Sequence, residues 1–476
     1  MHRLSATFGF ILFSLACSGG LRAAQPPNVL FIVVDDLNLS LGCYGNTQVR
    51  SPHIDRLAAR GARFDRAYAQ YPLCNPSRVS FLTGRRPETT GVYVLNTPPH
   101  TAVPDAVTLP RFFRQQGYAT AGAGKIFHNV RTGDAGAWDH YQDGEGEDAG
   151  EQAAIKSRYG GGDGRPRWFE LEGDGSKTRD GLNAATIRQL VANNAATNKP
   201  FFLAAGFHKP HLPWTAPKRF FDLYREGDLT PPAEPALRNV PPIALQTELS
   251  GFEQPDSRAG ALRGYYACVS FIDSLIGQLL DELDRGDLWK NTVVVLLGDH
   301  GFHLGDHGGL WAKLSAFDQS TRVPLIMAGA GIPAGRVVTT PVELVDVYPT
   351  LADLAGLTPP ERLEGRSLRP LLQNGREDPG RIARSLVYHY DVAGKRDVAG
   401  QTVIGAQWRY TEWDEGRAGR ELYSRNTDAG EYHNRAADPA MEKTVKTAAA
   451  LLRTIPAPKP GPANRPRALA PAGSAK

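Results

Sequence analysis

Four short apolar runs, each followed directly by polar residues, constrain the fold of this 476-residue chain more than any other feature. They lack the alternation that marks a strand with one solvated face, so each is typical of a strand buried on both faces of a parallel sheet. Helical patterns lie between the runs, which predicts an α/β fold with a mostly parallel sheet between helices. The predicted strands are Asn28–Val34, Tyr118–Ala123, Phe201–Phe207 and Thr292–Leu297, with Val323–Ala328 as a further candidate.

Two segments between the predicted strands carry clear helix signals. A Ser-Pro pair at Ser51 predicts a helix that Gly61 ends, and apolar residues at helical spacing predict a longer helix over Arg263–Asp284. The stretches Thr132–Asp180 and Pro231–Pro255 lack such signals and are rich in loop-forming residues. We therefore predict long irregular loops there, bordering a pocket.

The first 24 residues have the composition of an export signal. Arg3 supplies positive charge, and the run Phe8–Ala16 is apolar but too short to span a bilayer comfortably. We predict cleavage of residues 1–24 and export to the periplasm or the extracellular space, with lipid attachment at Cys17 as the alternative. Elsewhere no stretch approaches about 18 consecutive apolar residues, which argues against a transmembrane anchor.

Length and composition fit one large and one small domain. With 54 basic and 50 acidic side chains the charges nearly balance, so there is no reason to expect a nucleic-acid partner. We predict a large domain over residues 25–372. Short strand-like pieces at Ser385–Tyr390 and Gln407–Trp413 then predict a smaller α+β subdomain over residues 373–454. Residues 455–476 are rich in Pro and Ala and are predicted to form a disordered tail.

The predicted strands bring polar residues to their carboxyl ends, which meet at one edge of a parallel sheet, where ligands bind. Asp35 and Asp36 follow the first strand, and Asp299 with His300 follows the fourth. Clustered carboxylates repel one another, so we predict a divalent cation there, Ca²⁺ or Mg²⁺ because the ligands are oxygen-rich. The alternative is that the Asp pair only caps a turn. The other polar residues at these ends are Lys125, His128, His208 and His211.

Cys74 is predicted at the amino end of a short helix. Pro76 suits a first helical turn and Gly84 suits a helix end, and the amino end of a helix favours an anion. This position also fits a buried structural cysteine. Once Cys17 is removed with the signal, Cys43, Cys74 and Cys268 remain, and an odd count indicates that one cysteine has another role.

The complete segment Cys74-Asn75-Pro76-Ser77-Arg78 resembles the signature of the type I, formylglycine-dependent sulfatases. The resemblance runs from about Asn28 to Asn434 and is greatest to the iduronate-2-sulfatase branch and its bacterial polysaccharide-sulfatase relatives. It implies an alkaline-phosphatase-like fold and a sulfated carbohydrate substrate, with uronate 2-O-sulfate as one candidate. It also implies conversion of Cys74 to formylglycine by a formylglycine-generating or anaerobic sulfatase-maturating enzyme. Further matching segments are Val33–Leu37, Leu41–Gly45, Gly124–His128, His208–His211 and Gly298–Gly301.

The resemblance implies a role for each residue of the site. Modified Cys74, as a hydrated aldehyde, attacks sulfur and is held by Arg78. Lys125 and Lys313 bind sulfate oxygens. The proton donor to the ester oxygen is His208, and the residue beside the hydrate is His128. The implied metal ligands are Asp35, Asp36, Asp299, His300 and an oxygen of modified Cys74.

Several of these assignments have open alternatives. The segment Gly308–Leu310 is one residue longer than the family pattern, so Lys313 could be a solvated lysine. His208 and His211 could instead form a second metal site or pack a turn. We predict that His303 and His307 pack a loop, and that sugar stacking and core packing are equally open for Trp138, Trp168 and Trp214.

Two other functions compete with a sulfatase. Phosphate and phosphonate ester hydrolases share the fold and the metal ligands, and some use formylglycine as the nucleophile. A non-catalytic protein that binds sulfated glycans on the same scaffold is the second. It predicts degraded ligand positions, and none of the matching positions is degraded.

Overall fold

A computed structural model describes most of the chain. The described residues are 26–129, 132–142, 168–195, 197, 199–232, 235–246, 255–360, 362–392 and 394–462. The predicted signal peptide over residues 1–24, with Cys17, and the tail beyond residue 462 lie outside them. Within these ranges, the structure contains no helix with the length and apolar character needed to cross a bilayer.

An eight-stranded sheet forms the centre of the molecule, with the strand order β14-β2-β13-β9-β1-β7-β4-β5. All neighbouring pairs are parallel except those of β13, which runs antiparallel to β2 and β9. The predicted mixed, mostly parallel sheet is confirmed. The strands are β1 (Asn28–Val34), β2 (Gly61–Phe64), β4 (Ala119–Gly124), β5 (His140–Gln142), β7 (Phe201–Phe207), β9 (Thr292–Gly298), β13 (Leu325–Gly329) and β14 (Arg336–Val338).

The bounds of β1 and β7 match the prediction, because both strands are buried along their whole length. The candidate strand at Val323–Ala328 is corrected in two ways. It begins at Leu325, and it is antiparallel rather than parallel. An isolated apolar run records burial on both faces but carries no information about strand direction.

The sheet separates two hydrophobic layers, and successive side chains of β1 alternate between them. Leu30, Ile32 and Val34 face one layer with the helices α1, α6 and α8, whereas Phe31 and Val33 face the other with α2, α5 and α10. The helices are α1 (Pro52–Arg60), α2 (Cys74–Thr83), α3 (Pro87–Thr90), α4 (Pro99–Ala102), α5 (Leu109–Gln115), α6 (Arg179–Ala195), α7 (Lys218–Phe221), α8 (Pro255–Arg285), α9 (Asp318–Thr321), α10 (Val347–Leu354), α11 (Arg369–Asn374) and α12 (Glu442–Leu452).

The two segments predicted to be irregular loops contain regular elements. Within Thr132–Asp180 lie β5 and β6, and α6 begins at Arg179. Helix α8 begins at Pro255, eight residues before the predicted start at Arg263. Small sheets join the remaining short strands, β3 (Ala67–Tyr68), β6 (Trp168–Leu171), β8 (Trp214–Pro217), β10 (His303–Asp306), β11 (Leu310–Ala312), β12 (Arg322–Val323) and β15 (Val342–Glu343).

A four-stranded antiparallel sheet lies in the carboxyl-terminal part of the chain. Helix α12 packs against it through Ala448 and Leu452. The predicted tail starts with ordered contacts, because Ile455 is buried and the Lys459 carbonyl accepts a hydrogen bond from Tyr388 at 2.7 Å. The strands are β16 (Ala383–Asp391), β17 (Arg396–Ile404), β18 (Trp408–Trp413) and β19 (Gly419–Ser424).

Candidate active site

The register of the central strands brings their carboxyl ends to one level. Val34 of β1 is paired with Phe207 of β7 on one side and with Gly298 of β9 on the other. The residues that follow these strands therefore start from neighbouring positions at the same edge of the sheet. They are Asp35 and Asp36 after β1, His208 after β7, and Asp299 and His300 after β9.

Cys74 enters this edge as the first residue of α2, and Gly84 ends the helix in a left-handed conformation. The cysteine is buried, and its Sγ lies 3.2 Å from His300 Nε2 and 3.3 Å from Lys313 Nζ. Burial raises the pKa of the thiol well above its usual value, so the unmodified side chain is a neutral thiol.

Four buried side chains form a possible metal-binding cluster. One ligand atom from each of Asp35, Asp36, Cys74 and His300 lies within 4.8 Å of all the others. The carboxylate of Asp299 lies beside this cluster, with Oδ2 3.6 Å from His300 Nε2, but it turns toward Arg78. Two carboxylates and an imidazole suit a divalent cation, and an oxygen in place of the Cys74 sulfur would make the set suit a hard cation better.

Arg78 connects two of the acidic strand ends. Its side chain is fully buried, with Nε 2.8 Å from Asp299 Oδ2 and Nη2 3.1 Å from Asp35 Oδ1. The guanidinium also donates to the carbonyls of Lys125 and Ile126. Arg78 therefore links α2 to β1, β9 and the turn after β4 by contacts that no local sequence pattern reveals.

Two lysines pair with the acidic residues of the cluster. Lys125 Nζ contacts Asp35, and Lys313 Nζ lies 2.6 Å from Asp36 Oδ1. Burial acts to raise the pKa of Asp35, but Lys125 and the nearby cations outweigh it and hold that pKa well below its usual range. The predicted solvated alternative for Lys313 is therefore wrong, because the structure buries this side chain.

The turn after β7 brings two histidines to a cavity of about 320 Å³. The first is His208, and 19% of its side chain is exposed. The second is His211, and burial lowers the pKa of its imidazole to about 4. Burial also lowers the pKa of His128 to about 3, and its Nδ1 is buried without a hydrogen-bond partner among the described residues. Charged and polar residues around the cavity include Lys125, His128, Arg179, Asp180, Lys209 and His211.

Asp180 is a residue of this region that the sequence prediction missed. It lies at the start of α6, is 3% exposed, and accepts hydrogen bonds from the backbone N–H groups of His208 at 2.8 Å and Lys209 at 2.9 Å. The only available sequence signal was an acidic residue in a first helical turn, where it complements the helix dipole. That signal was missed because the stretch Thr132–Asp180 was predicted to form irregular loops.

Other aromatic and histidine residues prove to be packing elements. Trp214 is fully buried and Trp138 is 8% exposed, so sugar stacking is excluded for both in this structure. His303 and His307 are buried in the β10–β11 hairpin and both contact the carboxylate of Asp306 through Nδ1. In the part of the chain that the structure describes, neither Cys43 nor Cys268 forms a disulfide.

This fold and site together define a class of hydrolases in which a helix-borne residue meets carboxylates, lysines and histidines at the carboxyl edge of an α/β sheet. Within that class, the chain belongs to the sulfatase family, the sulfuric ester hydrolases. The family model described as Sulfatase matches residues 27–357, and that of the N-sulphoglucosamine sulphohydrolase C-terminal region matches residues 305–456.

Individual proteins agree with this assignment. A sulfatase of Formosa agariphila is 34% identical over 90% of this chain and 87% of its own length. The iduronate 2-sulfatase of Mus musculus is 32% identical over 90% of this chain and 92% of its own length. The crystal structure of the phosphonate monoester hydrolase of Agrobacterium radiobacter superposes with a TM-score of 0.75 at 22% identity, covering 90% of this chain and 95% of that one. The last similarity shows the fold alone.

Proposed function

We propose that this protein is an exported sulfatase that hydrolyses sulfate esters of a carbohydrate, with Cys74 converted to formylglycine and a divalent metal ion at the adjacent cluster. The single observation that supports it most is the position of Cys74. It begins a helix at the edge where Lys313 and His300 contact its sulfur. An anionic sulfate group in front of this residue would meet a helix amino end and buried cations.

The modified side chain would supply a hydroxyl for attack on sulfur and a second hydroxyl for release of sulfate. The chain's own residues bind, orient and move protons. Lys125 and Lys313 offset negative charge on the sulfate oxygens, and Arg78 keeps Asp35 and Asp299 in place behind them. His208 protonates the leaving oxygen, and His128 accepts the proton that is lost when sulfate leaves.

The proposed metal ligands are Asp35, Asp36, Asp299 and His300, with an oxygen of modified Cys74. The metal is Ca²⁺, with Mg²⁺ as the alternative, because carboxylate oxygens dominate the set. Its chemistry would be to polarise the nucleophile and neutralise charge on the reacting group. Asp299 would contribute through Oδ2, which lies 3.6 Å from His300 Nε2 and also accepts the hydrogen bond from Arg78 Nε at 2.8 Å.

The substrate class rests on similarity along almost the full chain. Since the mouse iduronate 2-sulfatase matches 90% of this chain, a sulfated uronic acid or a related polysaccharide unit is the proposed substrate. The cavity of about 320 Å³ beside His208 lies in the range of small-molecule sites. A formylglycine-generating or anaerobic maturating enzyme is the proposed partner, acting before the chain folds because Cys74 is buried.

The test begins with peptide mass spectrometry and activity measurements on protein produced with a maturating enzyme. Conversion of Cys74 should lower the mass of its peptide by about 18 Da, as expected for replacing the SH group and one Cβ hydrogen by an aldehyde oxygen. Matured protein should hydrolyse 4-nitrophenyl sulfate, and Cys74→Ala should abolish turnover while preserving the thermal unfolding midpoint within a few degrees. Undiminished activity in Cys74→Ala would refute the proposal.

Measurements on the same matured protein also distinguish the sulfatase from the two competing functions. Faster turnover of 4-nitrophenyl phosphate or of a phenylphosphonate monoester than of 4-nitrophenyl sulfate would favour a phosphate or phosphonate ester hydrolase. Absence of turnover on every ester, with retained binding of sulfated oligosaccharides by fully matured protein, would favour the non-catalytic glycan-binding protein.

A further inference from the structure

The carboxylate of Asp180 contacts three nitrogen atoms of the turn that carries His208. Oδ1 accepts the backbone N–H of His208 at 2.8 Å and lies 3.3 Å from the imidazole Nδ1 of the same residue. Oδ2 accepts the backbone N–H of Lys209 at 2.9 Å. One buried side chain therefore holds both the backbone and the ring of His208, although 28 positions separate the two residues.

The contact decides which ring nitrogen can face a substrate. Because a carboxylate accepts hydrogen bonds and cannot donate them, Nδ1 must carry the hydrogen that it shares with Asp180. Nε2 then remains as the nitrogen through which a proton can move. Among the described residues no hydrogen bond to Nε2 is present, and the His208 side chain lines the cavity with 19% of its surface exposed.

The surroundings of Asp180 keep its carboxyl group ionised, as a hydrogen-bond acceptor for His208 Nδ1–H requires. Burial acts to raise the pKa of its carboxyl, but His208 and the two backbone N–H groups outweigh burial and lower it, so the group is ionised. Burial lowers the pKa of His208, whereas Asp180 acts to raise it, against Arg179 and Lys125. Asp180 therefore favours the protonated imidazole that an acid needs.

We propose that Asp180 is a positioning residue for His208, holding Nδ1–H toward its carboxylate and Nε2 toward the leaving oxygen of the sulfate ester. The inference rests on the proposed function, because it names what prepares the acid of that reaction. As a hydroxyl oxygen of modified Cys74 bonds to sulfur, the ester S–O bond would break with its electron pair staying on the departing oxygen, and the Nε2 proton would pass to that oxygen to give the free alcohol. His208 is left neutral, with its Nδ1–H still bound to Asp180.

The decisive variant is Asp180→Asn, which is close to isosteric. Its amide can donate to Nδ1 and so favours the opposite tautomer, with the hydrogen on Nε2. Turnover of phenyl sulfate, whose leaving group needs a proton, should fall about 10- to 100-fold, a usual loss when the partner that orients a histidine is removed. Turnover of 4-nitrophenyl sulfate, whose leaving group does not, should fall less than about threefold.

A matched control comes from Asp273, another buried aspartate that holds a turn. It accepts the backbone N–H of Ile54 at 2.7 Å and of His53 at 3.0 Å, and among the described residues none of its hydrogen bonds reaches the cavity residues. Asp273→Asn should lower the unfolding midpoint while leaving the ratio of phenyl to 4-nitrophenyl sulfate turnover as in wild type. If Asp180→Asn behaves in the same way, Asp180 is only a structural residue and the proposal is wrong.

A double-mutant cycle with His208→Ala adds a second criterion. If Asp180 acts through His208, the double variant should be no slower on phenyl sulfate than His208→Ala alone. Additive losses would overturn the proposal. Matured wild type that turns over no sulfate ester would instead refute the proposed function, so the two failures are distinguishable.

One measurement needs neither turnover nor a variant of Asp180. In ¹⁵N NMR of histidine-labelled wild-type protein, with His208→Ala used to assign the signal, neutral His208 should carry its proton on Nδ1. A signal showing the proton on Nε2 would overturn the proposal, even if Asp180→Asn fails to fold.

Discussion

At the scale of single residues, Arg78 is a buried cation that pairs with two acidic residues of the site. Its buried guanidinium pairs with the carboxylates of both Asp35 and Asp299, and so offsets the repulsion between two like charges in a dry environment. Removing one partner of a buried ion pair leaves uncompensated charge. We therefore expect Arg78→Met, which keeps most of the volume, to lower the free energy of unfolding by about 3–5 kcal/mol in urea titrations without added metal.

The control for this prediction is Arg56, which pairs with Asp281 at 2.7 Å at the surface, with 38% of its side chain exposed. Arg56→Met should change the free energy of unfolding by less than about 1 kcal/mol, because solvent screens the pair. Added Ca²⁺ should recover part of the stability lost in Arg78→Met, since an ion bound only by the folded state stabilises it. Equal losses in the two variants would contradict the role given to Arg78.

At the scale of elements, the close approach of the β4 turn to β7 depends on Gly206. A Cβ atom at this position would overlap the backbone of Lys125, so the strand pair can bring Lys125 to the site only if residue 206 lacks a side chain. Gly206→Ala should lower the free energy of unfolding by about 1–3 kcal/mol through overpacking. Sulfate-ester turnover should fall by more than about tenfold, because Lys125 is displaced.

Gly227 provides the matched control, because beyond its own chain neighbours no atom of the described residues lies within 4 Å of the position that a Cβ would take there. Gly227→Ala should shift the free energy of unfolding by less than about 0.5 kcal/mol and leave turnover unchanged. If Gly206→Ala kept wild-type turnover, the position of Lys125 would not depend on this strand contact.

At the scale of the whole molecule, a buried ion network joins the segment after the carboxyl-terminal sheet to helix α9. Arg425 of the segment after β19 contacts Asp318 of α9 at 2.6 Å, and Glu431 accepts the Asp318 backbone N–H at 2.8 Å. Burial acts to raise the pKa of Asp318, but Arg425 and the neighbouring arginines outweigh it and lower that pKa to about 2.

This shift predicts an acid dependence of stability with a definite sign. Because the folded pKa lies below the unfolded value of about 3.9, the ionised Asp318 stabilises the fold above that pH and loses this effect as the pH falls toward 2. The gap in unfolding free energy between wild type and Asp318→Asn should therefore shrink by about 2 kcal/mol between pH 5 and pH 2. Urea titrations of both proteins between pH 5 and pH 2 measure this gap.

Asp287→Asn serves as the comparison, because Asp287 is 78% exposed and its one ion pair within the described residues is with an exposed lysine. The free energy of unfolding of this variant should stay close to that of wild type at every pH. A gap between wild type and Asp318→Asn that stays constant from pH 5 to pH 2 would show that Asp318 is not held ionised by the arginines.

Local patterns in the sequence predicted the elements that place the site. The bounds of β1 and β7 were predicted correctly because complete burial leaves an uninterrupted apolar run. The start of α2 at Cys74 and its end at Gly84 follow from the local preferences of Pro and Gly. The meeting of the polar strand ends follows from parallel pairing, because residues after parallel strands share an edge.

What only the tertiary structure decided is which side chains contact one another across that edge. The pairing of Asp180 with His208, the bridge of Arg78 between Asp35 and Asp299, and the antiparallel direction of β13 involve partners far apart in the chain. A residue's own sequence neighbourhood records its burial and its backbone preferences, which are local quantities. Its partner depends on strand register and on how helices pack over the sheet, and these are properties of the whole folded chain.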